Sequence, residues 1–389
     1  MRRLIENALI YRSDERKCVR GTMTCADGKI LSVDFSGDIC GHPDADVQTD
    51  AGGCLIFPGF VDVHTHGRAG FDFNFADVSE MQLMAKSYAL AGTTSIFPTF
   101  ASSPFDDLVS SAKKVRKLRG ETSGAEFLGV HLEGRYLNPE MRGAHKEELL
   151  KKPDADELKE FASYSGFPLH ISAALELDSD GSFAAAAKSM GATLGLAHTA
   201  ATYAEAMEAF RMWNVSFTHL YNAMPKIHHR SGGAAVAGLC SDAYAELICD
   251  GLHVSPEMVA FTLKNKGLDR LVLVTDSMAA AGAPDGDYFI AGNPATVRNG
   301  VARTPDGALA GSTLSISKAV ENLSAFCGIP LTDAVLCATV NPAAEVGLSE
   351  HVGKLTPGAR ADFLFCRPDE VRHDMGISRI FVGGEEIRE

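Results

Sequence analysis

Eight apolar runs alternating with segments of helical composition constrain this 389-residue chain more than any other feature. The runs are "IFPGFVDVHTHG", "TTSIFPTF", "AEFLGVHLEG", "FPLHISAALEL", "TLGLAHTA", "VSFTHLYNAM", "AELICDGLHV" and "RLVLVTDSM". Strands covered on both faces read as continuous apolar runs of this kind. Between them lie stretches such as "VSEMQLMAKSYALAG", "FDDLVSSAKKVRKLRG" and "SPEMVAFTLKNKG", most with apolar residues at helical spacing and several ending in Gly, a common helix stop. Eight buried strands alternating with helices predict an α/β fold, a (β/α)8 TIM barrel. In that fold the C-terminal ends of the strands form the active face. His64 and His66, Glu133, His198, His219, Asp250 with His253, and Asp276 all fall at such ends.

The flanks have a different rhythm. Residues 1–56 and 347–389 carry short strand-like pieces and turn signals, "ADGK", "SGD", "TPGARAD" and "VGGEE". They predict one small β-sandwich-like domain built from both termini, with the barrel spanning 57–346. A hydrophobic share of 46% is enough to give both units a core. The net charge of −14 argues against a nucleic-acid or anionic-membrane surface, because phosphates recruit Lys and Arg. No apolar run reaches the roughly 20 residues that span a bilayer, and "MRRLIENALIYRSDERK" is charged where a signal peptide needs an apolar centre. A cytoplasmic location is the expectation. Nine cysteines without a CxxC pair, among them Cys54, Cys240 and Cys337 in apolar segments, read as reduced core thiols.

Chemistry starts at "HTH". Residues two apart on a strand share a face, so His64 and His66 can converge on one metal ion. Alone, the pair is equally a strand end with two solvated imidazoles. Glu133, His198 and His219 at three other strand ends turn the balance toward a metal, and this donor set suits Zn(II) or Fe(II). Singly, Glu133 could pair with Arg135 or Arg142, His198 and His219 could be hydrogen-bonded core imidazoles, and Asp276 could cap the next segment. Together, a carboxylate facing three ligands across a barrel mouth is placed to take a proton from water, which points to hydrolysis.

Those residues belong to a longer pattern. "PGFVDVHTHG", "HLEG", "LAHTAATYAEAM", "THLYNAM", "CDGLHV", "VTDSMAAAG", "LAGS" and "NPAAEVGL" together resemble the N-acetylglucosamine-6-phosphate deacetylase family of the amidohydrolase superfamily, nearly end to end. The resemblance implies removal of acetate from the amide nitrogen of N-acetyl-D-glucosamine 6-phosphate in amino-sugar catabolism. It makes Glu133, His198 and His219 ligands of a divalent metal, with His64 and His66 available for a second ion, so one or two ions per subunit. Asp276 matches the family's acid/base and His145 the residue that polarises the carbonyl. Substrate contacts fall on Ala144, Asn222, Ala223, Arg230, Asp250, Gly251, Leu252, His253, Leu309, Ala310 and Gly311. The phosphate is expected at the backbone N–H groups of Asn222 and Ala223, with charge from His253 and Arg230. The family assigns that Arg to the neighbouring site of a homodimer. Read without the family, "MPKIHHRSGG" is equally a basic solvated loop.

One departure stands out. The family pattern HLEGP has Pro where this chain has Arg135, which is either a locally paired cation or a modifier of sugar or anion preference. Three rivals remain. An amidohydrolase with a carbamylated lysine needs a Lys that "FPLHISAALEL" lacks. A deacetylase of N-acetylgalactosamine 6-phosphate would share the machinery. An inactive sugar-phosphate-binding barrel would have no reason to keep every ligand and Asp276.

Overall fold

The structure, a computed structural model, describes residues 1–35, 45–166 and 168–388. The "SGD" turn signal at 36–38 lies outside the described residues. Among them, eight parallel strands form the barrel: Phe60–Thr65, Thr93–Ala101, a third in two segments (Glu126–Phe127 and Val130–Glu133), Leu169–Ala173, Thr193–Leu196, Ser216–Phe217, Ala245–Ile248 and Leu271–Val274. Each coincides with one of the eight apolar runs, the second passing its run by the single residue Ala101. The seam between first and eighth strands is closed by a parallel bridge from Thr65 to Ser277. There the Asp276 N–H donates to the His64 carbonyl at 2.9 Å and the His66 N–H to the Ser277 carbonyl at 2.8 Å. Closure of the barrel therefore sets Asp276 beside the HxH pair.

A helix follows each strand: Val78–Leu90, Phe105–Leu118, Ala155–Ser165, Ser182–Ser189, Tyr203–Trp213, Gly233–Cys240, Pro256–Lys266 and Ile316–Cys327. Local chemistry fixes several of their ends. Asp77 and Thr202 form capping boxes with Glu80 and Glu205. Gly166 stops the third helix at φ +59°, a left-handed conformation that a Cβ disfavours. Strand alternation divides the two faces. Leu132 and Ile171 join the apolar layer beneath the helices, with Val115 and Phe161. Their neighbours His131 and Ser172 point inward and bond each other, Nε2 to Oγ at 2.8 Å.

Both termini meet in one eight-stranded sheet. Leu55–Pro58 pairs in parallel with Arg2–Arg12 and antiparallel with Phe363–Cys366. Gly59 then leads directly into the first barrel strand. Sequence reasoning missed a three-stranded antiparallel sheet after the eighth barrel strand: Gly286–Ile290, Asn293–Arg298 and Val301–Arg303. Its two-residue turns were legible. Ala291-Gly292 and Asn299-Gly300 have positive φ at both positions, as type I′ hairpins require, and Asn-Gly is the favoured pair for such a turn.

The eight described cysteines are free, and Cys54 and Cys337 are buried as expected. Cys240 is a correction: it ends the helix Gly233–Cys240 on the exposed side, where the apolar sequence around it serves the opposite face. No helix among the described residues is long and apolar enough to cross a membrane.

The terminal sheet depends on Phe381, whose ring stacks on Phe363 at 4.6 Å beneath the guanidinium groups of Arg3 and Arg379 at 5.2 and 5.0 Å. Phe381→Ala should cost about 3–5 kcal/mol, read as a lowered unfolding midpoint in urea. An unchanged midpoint would remove Phe381 from the residues that hold the sheet.

Candidate metal-binding active site

Glu133 ends the third strand, is 2% exposed, and presents its two oxygens to different partners. Oε1 lies 2.8 Å from His219 Nε2 and 3.3 Å from His198 Nε2. Oε2 lies 2.9 Å from His66 Nε2 and 3.4 Å from His64 Nε2. Asp276 completes the second set, with Oδ1 at 3.3 Å from His66 Nε2 and 3.7 Å from His64 Nε2. The six residues thus make two donor groups joined by one carboxylate.

His198, His219 and Asp276 each sit two residues beyond a strand end and have φ of +43°, +31° and +46°. The left-handed turn takes the backbone off the strand direction at the barrel mouth. For a non-glycine residue it costs on the order of 1–3 kcal/mol, and such strain collects at functional sites.

The donors fit a divalent cation. The Nε2 atoms of His198 and His219 lie 3.2 Å apart and face the same carboxylate oxygen, so a single proton cannot satisfy both. A cation between them uses both lone pairs and the carboxylate. Outer partners fix the rings. His198 Nδ1 faces the Met141 carbonyl at 2.8 Å, and His64 Nδ1 faces Glu246 Oε2 at 2.9 Å. Electrostatics agree. Burial works against charge on Glu133, yet His64 and hydrogen bonds from His198 and His219 hold its carboxyl well below the usual range. Burial likewise opposes charge on His66, but hydrogen bonds with Asp276 and Glu133 outweigh it and raise its pKa to about 9. A site that draws protons onto its imidazoles this strongly draws a cation for the same reason.

His145 reaches the site from the loop after the third strand. Its Nδ1 accepts the Ser102 N–H at 3.3 Å and lies 2.9 Å from Ser102 Oγ, which itself accepts the Arg135 N–H at 2.9 Å. With Nδ1 an acceptor, the ring proton belongs on Nε2, 3.9 Å from Glu133 Oε2. Burial, then repulsion from His198, lowers the pKa of His145 to about 3, so the ring is neutral.

A pocket of about 180 Å³ gathers His66, Glu133, His145, His198, His219 and Asp276 with Ala144, Asn222, Ala223, His253, Leu309 and Gly311. An adjoining cavity of about 440 Å³ shares His253, Leu309 and Gly311 and adds Asp250 and Leu252. Asp250 Oδ2 holds His253 Nδ1 at 2.6 Å. Gly251 turns between them at φ +76°, and Ala310 is buried against the inserted sheet. The Asn222 N–H is engaged with the His219 carbonyl at 3.0 Å. Arg230 lines neither cavity; it is exposed, with Nη1 2.6 Å from His229 Nε2.

Three contributors escaped sequence reasoning. Glu246 is fully buried and orients His64. Ser102 sets the His145 tautomer. Asn293 of the inserted sheet donates from Nδ2 to the Ala144 carbonyl at 2.6 Å, tying that sheet to the His145 loop. Arg135 is locally paired: its Nε lies 3.1 Å from Glu157 Oε1, and its guanidinium stands 5.9 Å from the centre of the Phe105 ring. The fourth strand carries no Lys, and Glu133 is shared by the two donor groups.

Residues 55–387 match the amidohydrolase family, and the chain belongs to it. Within that family it is similar to deacetylases of phosphorylated amino sugars. It is 35% identical to an N-acetylgalactosamine-6-phosphate deacetylase of Escherichia coli O157:H7 over 79% of this chain and 82% of that one. It is 30% identical to the N-acetylglucosamine-6-phosphate deacetylase of Vibrio furnissii over 92% and 90%. The crystal structure of N-acetylglucosamine-6-phosphate deacetylase from Pasteurella multocida superposes with a TM-score of 0.89 at 28% identity, covering 99% of both chains.

Arg135 has φ +66°, which a proline ring cannot adopt, and its N–H is in use. Arg135→Pro should therefore cost at least about 2 kcal/mol in chemical denaturation, although Pro is the residue of the family pattern. A neutral effect would mean that the loop has a second conformation of equal energy.

Proposed function

We propose that this chain hydrolyses N-acetyl-D-glucosamine 6-phosphate to D-glucosamine 6-phosphate and acetate. The observation that carries the reading is the convergence, in one pocket, of the Glu133, His198 and His219 donor group with Asp276 and the Nε2–H of His145. A divalent ion held by that group, with His64 and His66 available for a second, supplies Lewis acidity toward the acetamide carbonyl and the attacking water.

The chain's own groups do the rest. Asp276 is ionised: burial opposes its charge, but the hydrogen bond from His66 and the field of His64 hold its pKa low. It accepts the proton of the attacking water and returns it to the departing amine. His145, neutral, donates from Nε2 to the carbonyl oxygen as negative charge grows there. Its tautomer is set in advance by Ser102. His253, oriented by Asp250, and the turn at Asn222 and Ala223 receive the 6-phosphate. Arg230, outside both cavities of its own chain, serves the pocket of a second protomer in a homodimer. The 35% identity to a galactosamine-type relative favours one second reading, the galacto epimer as substrate.

Acetate release separates these readings. The gluco 6-phosphate should be hydrolysed with the higher kcat/KM in direct competition with the galacto epimer, and unphosphorylated N-acetylglucosamine should be poor. Preference for the galacto epimer would select the second reading, and equal rates with and without phosphate would remove the phosphate contacts. Asp276→Asn should keep its metal and lose turnover by at least about 10²-fold.

Subunit mixing tests the shared site. An Arg230→Ala chain still supplies Asp276, while an Asp276→Asn chain supplies Arg230, so each mixed dimer holds one intact site. Random reassociation makes about half the dimers mixed, giving roughly a quarter of wild-type activity. A mixture no better than its parents, with exchange verified, returns Arg230 to its own chain or to the solvent.

A further inference from the structure

Deeper in the barrel, away from the catalytic pocket, three side chains turn polar atoms that the deacetylase chemistry leaves unused toward one another. His170, on the fourth strand, is fully buried; its Nδ1 is taken by Thr193 Oγ1 at 2.8 Å and its Nε2 has no hydrogen-bond partner. Glu246, on the seventh, is fully buried as well. Its Oε2 receives His64 Nδ1 at 2.9 Å and the His219 N–H at 3.2 Å, while Oε1 has no partner. Glu345 ends the helix Val340–Glu345, is 7% exposed, and has no close hydrogen bond to either carboxylate oxygen beyond the neighbouring Ser216 hydroxyl. One donor atom from each lies within 4.8 Å of the others, with His170 Nε2 3.7 Å from Glu246 Oε1. Gly195 lies beside His170: a Cβ there would collide with Thr218 Oγ1 and stand 3.2 Å from Ser172 Oγ and 3.3 Å from His170 Nε2.

Buried polar atoms without partners are rare and costly, and here one imidazole and two carboxylates, all groups that ligate metals, bring such atoms together. We propose that His170 Nε2, Glu246 Oε1 and Glu345 bind a divalent transition-metal ion at a second site, distinct from the one at Glu133. One neutral imidazole and two carboxylates suit Zn(II) or Mn(II), and the charges cancel. Lacking the ion, burial followed by repulsion from Glu246 raises the pKa of Glu345 well above the carboxylate range, so that a proton takes the cation's place. A cavity of about 180 Å³ reaches Glu345 past Ser216 and Tyr244, giving a route that avoids the catalytic pocket. Lys188 and Arg270 also line it, partly offset by Asp242, so the ion should enter and leave slowly. Glu246 serves both sites: one oxygen on the inner ion, the other on His64.

The test uses the full chain, stripped with chelator and reloaded with Mn(II) or Zn(II), then analysed for metal per chain and by anomalous scattering from crystals. Wild type should show an anomalous peak among His170, Glu246 and Glu345 in addition to any at Glu133. Glu345→Gln, which mimics the protonated acid in shape, should lose that peak and one ion per chain while keeping the signal at Glu133. Glu133→Gln should do the reverse. A water without anomalous signal in saturated wild-type crystals would overturn the proposal, as would Glu345→Gln with unchanged metal content and peak. His170→Gln provides the same comparison if the first variant does not fold, and the wild-type map decides even without either.

Discussion

One carboxylate organises the catalytic end of this barrel. Glu133 touches four imidazoles delivered by the first, fifth and sixth strands, using a different oxygen for each pair. Those strands are far apart in sequence and meet only because the barrel closes. The Thr65–Ser277 seam is thus as much a part of the site as any ligand, since it sets Asp276 against His64 and His66. Removing the charge of Glu133 would leave His198 and His219 without the carboxylate that joins them to His64 and His66.

A second chain of contacts runs sideways from the same strand. The Arg135 N–H fixes the hydroxyl of Ser102, Ser102 fixes Nδ1 of His145, and His145 turns Nε2 toward Glu133. A proline at 135 has no N–H to begin this relay. Of the two readings the sequence offered for Arg135, the structure has the locally paired cation: the guanidinium meets Glu157 and Phe105, and the peptide group does the positioning.

The barrel was legible because its strands are buried on both faces and mostly apolar, and most of its helices are amphipathic, patterns that survive in one dimension. The candidate ligands stood out in the sequence because each falls at the end of an apolar run. Glu246 was not, since a carboxylate inside "AELICDGLHV" looks like a flaw in a strand until His64 and His170 are seen beside it. Ser102 carries no pattern at all; its role depends on a hydroxyl meeting a ring from a loop 43 residues away. The inserted sheet had a signal in Asn299-Gly300, a favoured hairpin turn that the eight-strand alternation left unread.

The left-handed backbone at His198, His219 and Asp276 sets three positions at which stability and function pull apart. Each of these residues is a poor choice for its own conformation, retained against a conformational preference that glycine or asparagine would satisfy better. While function is selected, the three positions resist drift. In a lineage released from that selection they become the places where random change is rewarded with stability, so a decayed copy of this gene would firm up first where its working ancestor was most strained.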